Sequence, residues 1–145
     1  MLDQTRTIAV VGASSNPSRA SNFVMTYLAS SVCDFVLYPV NPREPEINGF
    51  TCYPSLDALP AVPDMVDVFR KPQDCPAIAA EAVAVGATTL WLQLGIVSDE
   101  AAEIAAAAGL QVVMDRCTKI EHARFAGGLH LAGFDTGVIS SRRAG

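Results

Sequence analysis

Five short runs rich in β-branched residues alternate with longer alanine-rich segments, and that rhythm constrains the chain more than any other feature. The runs are TIAVV (7–11), FVLYPV (35–40), MVDVF (65–69), TTLWLQL (88–94) and QVVMD (111–115). They are apolar along nearly their whole length rather than at every second position. Strands buried on both faces read this way, so the pattern predicts a parallel sheet covered by helices. The segments between them carry helix ends. One helix is expected over 21–30 and a short one, SLDAL, from Ser55. A third begins near Asp74 and Pro76, where a cap and an early proline are tolerated, and stops at Gly86. Ser98 opens a fourth, with Asp99 and Glu100 set against the helix dipole, and Gly109 closes it. A fifth turn or helix is expected over 117–125. Strand and helix repeated at this spacing give an α/β fold, one doubly wound parallel sheet, most simply in the order 3-2-1-4-5 with right-handed crossovers.

A chain of 145 residues holds about one domain. We expect that domain over 1–125, with the glycine-rich 126–145 as a tail that packs in part or is mobile. The opening MLDQTRT has no apolar run behind a basic patch, so neither a signal peptide nor a membrane helix is read and a cytoplasmic protein is expected. A net charge of −5 argues against nucleic acid or an anionic membrane as partner, because both depend on a basic field. Self-association or a protein partner is left open. Cys33, Cys52, Cys75 and Cys117 are far apart with no C-x-x-C spacing, so they read as reduced thiols; with His122 and His130 they give no zinc pattern.

In a doubly wound sheet, ligands bind outside the carboxyl ends of the strands. Those ends carry Arg19, Arg43, Arg70, Lys71, Arg116 and Lys119, six of the ten Lys and Arg residues of an acidic chain. Such a distribution predicts a polyanionic ligand across this edge.

The first loop, VVGASSNPSRAS, begins like a dinucleotide-binding turn at Gly12 but has Ser14 and Pro17 where the G-x-G-x-x-G pattern has glycine. Gly12 lets the backbone approach a ligand, and free amides with the hydroxyls of Ser14, Ser18 and Ser21 offer donors at a helix start. An ordinary capped turn, its serines serving only the helix, is the other reading. After the second strand, an NAD site places an Asp or Glu on the ribose. This chain has YPVNPR there, with Glu44 and Glu46 only beyond Arg43. A cation in that place fits a phosphorylated ribose, and Val40 with Pro42 could wall an adenine. Phe69, Arg70 and Lys71 follow the third strand; Gln93, Leu94 and Gly95 end the fourth, with Trp91 read as core. These residues alone do not choose a 3′- over a 2′-phosphate, and an NADP-linked oxidoreductase using the same edge stays open.

Taken together, GASSNPSRAS, VNPR, VDVFRKP and WLQLG, followed by VMDRCTKIEHARF, resemble the CoA-binding protein family. These are stand-alone Rossmann-type proteins similar to the CoA-binding domain of the succinyl-CoA synthetase alpha subunit. The resemblance covers about residues 5–125. It implies a coenzyme A site in which Gly12, Ala13, Ser14, Ser18 and Arg19 surround the pyrophosphate. Val40, Asn41, Pro42 and Arg43 would then surround the adenosine and its 3′-phosphate. Phe69, Arg70 and Lys71 would border the adenine or phosphate region, with Gln93, Leu94 and Gly95 along the pantetheine arm. The ligase machinery of the larger synthetase has no residues here. The implied role is therefore a CoA or acyl-CoA carrier, sensor or partner-dependent subunit.

One stretch, MDRCTKIEH, invites a reaction. Cys117 stands between Arg116 and Lys119 near an expected helix start, conditions that lower a thiol pKa; a small core residue is the plainer reading. Glu121 and His122 are neighbours whose side chains diverge on a helix, so they do not make an acid–base pair. No complete catalytic constellation results.

Overall fold

The computed structural model describes residues 5–30, 35–115 and 138–140. Within them the chain runs β1 (Thr7–Val11), α1 (Ala20–Leu28), β2 (Val36–Val40), β3 (Glu46–Ile47), β4 (Phe50–Thr51), β5 (Met65–Val68), α2 (Cys75–Val85), β6 (Thr89–Leu92), α3 (Asp99–Ala107), β7 (Gln111–Met114) and β8 (Val138–Ser140). The five expected strands form one parallel sheet, and β8, from the segment read as a tail, pairs parallel with β7.

Alternate residues of each strand serve opposite faces, and both faces are apolar. Ile8, Val10, Leu37, Met65, Trp91 and Val113 meet Val24, Met25 and Leu28 of α1. Ala9, Val11, Val66, Val68, Leu90, Leu92 and Val112 meet Ile78, Ala79 and Ala82 of α2 with Ala101 and Ala105 of α3. Alanine on both helices of this second face leaves room for them to lie side by side. Ser98 caps α3 by accepting the Ala101 N–H, and α2 ends on the left-handed Gly86, as the sequence predicts. Asp74 does not cap α2 with its side chain; its carboxylate pairs with Arg70 instead.

The fold class holds, but the strand order is β2-β1-β5-β6-β7, whereas the expected 3-2-1-4-5 of the five predicted strands would read β5-β2-β1-β6-β7 in these labels. Thus β5 lies beside β1, not outside β2. Handedness explains this. The connection from β1 to β2 passes over the face covered by α1, whereas the connection from β2 to β5 carries a single 3-10 turn (Leu56–Ala58) whose Leu56 packs on the opposite face with α2 and α3. A right-handed crossover on the opposite face must return the chain past β1. The order therefore reverses between β1 and β5, and a crevice opens there at the carboxyl edge.

Between Leu56 and β2 the chain makes an excursion that the sequence reading lacked. β3 and β4 form an antiparallel hairpin through Asn48 and Gly49, both at positive φ, the arrangement that an Asn-Gly turn favours. Tyr53 then returns to β2: its N–H donates to the Pro39 carbonyl and its carbonyl accepts from Asn41, at 2.9 Å each. No helix among the described residues is long and apolar enough to cross a membrane.

Candidate functional site

At the end of β1 the backbone turns at Gly12, with φ +84°. A Cβ there would lie 2.9 Å from Arg70 Cδ and 3.0 Å from the Phe69 carbonyl oxygen. Glycine is therefore required twice, by the left-handed conformation and by the closeness of the β5 loop. The Gly12 N–H donates to the Val40 carbonyl (3.1 Å) and the Phe69 N–H to that of Val11 (2.8 Å), so three strand ends meet at this point.

Beyond Gly12 the loop closes on itself. Ser14 Oγ accepts the Asn16 N–H (3.1 Å), and Asn16 Oδ1 accepts both the N–H (3.0 Å) and the hydroxyl (2.8 Å) of Ser18. The Arg19 N–H goes to the Asn16 carbonyl, and Ser15 gives its N–H and its hydroxyl to Glu44. These bonds divide the loop's donors sharply. The amides of Gly12, Ser15, Asn16, Ser18 and Arg19 are spent, while among the described residues those of Ala13, Ser14, Ala20 and Ser21 have no acceptor. Ala20 and Ser21 are the first two residues of α1, whose N–H groups have no carbonyl to reach within the helix.

The β2 loop is pinned to this one. Asn41 Nδ2 donates to the Ala13 carbonyl (2.8 Å), and Asn41 Oδ1 accepts the Arg43 N–H (2.8 Å). Asn22 of α1, buried, donates to the Ser14 carbonyl (2.9 Å) and to Asn48 Oδ1 at the hairpin tip (3.1 Å).

The four residues with unspent amides all line one cavity of about 620 Å³ at the strand-order reversal. Its lining joins Gly12, Ala13, Ser14, Arg19, Ala20 and Ser21 to Asn41, Pro42 and Arg43 from β2 and to Phe69, Arg70 and Lys71 from β5. Arg70 shares its charge with Asp74 across 3.2 Å. Arg19, Arg43 and Lys71 have no carboxylate partner among the described residues, and no acidic side chain of those residues lines the cavity. A cavity walled by orphan N–H groups and unpaired cations has the chemistry to attract a multiply charged anion.

The remaining expected site residues stand apart from this lining. Val40 is buried beneath the loop, and Ser18 is turned toward Asn16. Gln93, expected at the crevice, is 4% exposed and gives its amide N–H to Asp67, a fully buried carboxylate in the middle of the sheet. The reason is that Gln93 keeps the alternation of β6: two residues beyond Trp91, it falls on the sheet face of Asp67, the residue in register with Trp91 on β5. Gly95 gives its N–H to Asp115 Oδ1 (2.7 Å), and Leu94 is 62% exposed.

The described thiols are poor nucleophiles. Burial pushes Cys75 up to about 11, with Asp74 adding to it, and burial raises Cys52 although the Asn41 carbonyl accepts from it. Cys33, Arg116, Cys117, Lys119, Glu121, His122 and His130 lie outside the described residues.

The sequence from residue 6 to residue 123 matches the model of a protein family described as a CoA binding domain. The chain belongs to that family. The uncharacterized protein YneT of Bacillus subtilis (strain 168) is 34% identical over 123 residues, 85% of this chain and 90% of YneT. A hypothetical protein from Pyrococcus horikoshii OT3, of solved structure, is 40% identical, with a TM-score of 0.80 and 85% of each chain covered. Likeness of fold alone extends to the dinucleotide-forming acetyl-coenzyme A synthetase 1 of Ca. Korarchaeum cryptofilum, at TM-score 0.67 and 24% identity over 75% of this chain and 26% of that one.

Proposed function

We propose that the protein binds coenzyme A or an acyl-CoA in the crevice between β1 and β5, acting as a carrier, sensor or partner-dependent subunit. The observation that carries this reading is the coincidence, among the described residues, of four unspent amides and three unpaired cations around one cavity in a CoA binding domain. Ala13 and Ser14 with Ala20 and Ser21 offer N–H groups to the diphosphate, and Arg19 offers charge. Arg43 stands where a ribose 3′-phosphate would lie, with Pro42 beside the adenine. Phe69, Arg70 and Lys71 close the other side. The pantetheine arm would run along the edge past Leu94 and Gly95, and Gln93 would support that stretch from below.

Calorimetry with CoA, dephospho-CoA, NADP and NAD tests the reading. CoA should bind most tightly. In Arg43→Ala it should lose about tenfold or more, the ~1.5–3 kcal/mol of a hydrogen bond to a charged group, while dephospho-CoA loses little. A preference for NADP over CoA would overturn the proposal in favour of a redox protein. Equal losses of both CoA forms would remove Arg43 from the 3′-phosphate.

A further inference from the structure

We infer that Asn22, Asn41 and Glu44 are positioning residues that set which way two consecutive peptide groups of the β1 loop face, so that the loop turns an N–H to the anion and its carbonyls away. The inference rests on the CoA reading above, and it adds Asn22 and Glu44, neither of which lines the cavity.

The described backbone has no cis peptide, and in a trans peptide the carbonyl of one residue and the N–H of the next point in opposite directions. Asn41, on the β2 side, draws the Ala13 carbonyl toward itself at 2.8 Å. The N–H of Ser14, in the same peptide, is then aimed away from β2. On that side lies β5, so this N–H faces the crevice. Asn22 draws the next carbonyl, that of Ser14, toward α1 at 2.9 Å. The Ser15 N–H is therefore aimed away from α1, and Glu44 Oε2 takes it at 3.2 Å.

Each of the three is itself held. Asn41 keeps the Arg43 N–H on Oδ1 and reaches Glu44 with Nδ2 (3.4 Å), while Asn22 is anchored on Asn48 at the hairpin tip. The chemistry of the seat depends on this. A peptide is a dipole, and a flipped one presents a carbonyl oxygen to the phosphate where an N–H was, turning attraction into repulsion. Glu44 has a second effect: by taking both donors of Ser15 it marks the outer limit of the diphosphate seat at Ser14.

The test is an amide-resolved NMR titration of the full chain with CoA, inorganic pyrophosphate and adenosine 3′-phosphate, in the native protein and in Asn22→Leu. In the native protein the Ser14 amide proton should move downfield with CoA and with pyrophosphate, while that of Ser15 stays. Asn22→Leu removes a donor without adding charge and frees the Ser14 carbonyl to turn toward the phosphate; that repulsion should weaken CoA and pyrophosphate by about tenfold, the scale of one dipole contact to a charged group, and leave adenosine 3′-phosphate as it was. A purely structural role would weaken all three ligands together, and that result overturns the inference. A Ser15 shift in place of the Ser14 shift in the native protein overturns it even if the variant does not fold. A native protein that binds neither CoA nor pyrophosphate overturns the CoA reading itself, and the inference with it.

Discussion

Gly12 and Gly95 share nearly the same left-handed φ, +84° and +85°, at two strand ends of the same edge, yet their surroundings differ. A side chain on Gly12 would strike the β5 loop; one on Gly95 would meet nothing within 4 Å among the described residues. The contrast extends to the hydrogen bonds around them. Around Gly12 the loop's carbonyls are pinned by Asn22 and Asn41, and four amides and three cations are left over. Around Gly95 the polar groups are used on one another, Gln93 on Asp67 and the Gly95 N–H on Asp115. The lesson is that a strand end is equipped to bind an anion by the donors its own structure leaves unspent. Polar residues alone do not make it one.

The largest effect expected from this contrast is at Gly12→Ala. Left-handed strain and the clash with Phe69 should together cost roughly 2–4 kcal/mol of stability in denaturant unfolding. CoA binding by calorimetry should be lost, since the β1 loop must move off β5. Gln93→Leu should come next. It removes a donor from a buried carboxylate, and about 1.5–3 kcal/mol of stability with it, yet CoA affinity should change less than about threefold. An affinity loss matching that of Gly12→Ala would break the contrast between the two ends. The smallest effect belongs to Gly95→Ala, about 1 kcal/mol of strain with open space for the methyl group. Abolished CoA binding in that variant would show that ligand packs tightly on Gly95, and the two glycines would then serve one purpose.

The strands and the helix ends at Ser98 and Gly86 were legible because each rests on local rules: β-branched runs, a cap, a left-handed stop. Strand order was not, because it depends on which face Leu56 chooses, and a three-residue 3-10 turn carries no amphipathic pattern to announce that choice. The hairpin escaped because its strands are two residues long, too short for any periodicity, although Asn48-Gly49 between Ile47 and Phe50 is the signal that such a turn leaves. At the cavity, the lining cations Arg19, Arg43, Arg70 and Lys71 were legible from charge at strand ends, whereas Ala20 carries no signal in its side chain. The placement of Gln93 was not legible, but Asp67 within an apolar central strand was the clue that some neighbour must turn inward to meet it. Asn22 and Glu44 could not be found from sequence at all, since their partners lie 8 and 29 residues away and only the fold brings them together.

Pro39, which faces Tyr53 across the outer side of β2, governs how the sheet meets other chains. In a strand, a residue's N–H and carbonyl point to the same side, so the donor that proline lacks would have pointed outward, where an incoming strand would seek it. Its carbonyl there is already taken by Tyr53. The half of this border nearest the ligand crevice thus resists strand addition, and with it edge-to-edge aggregation.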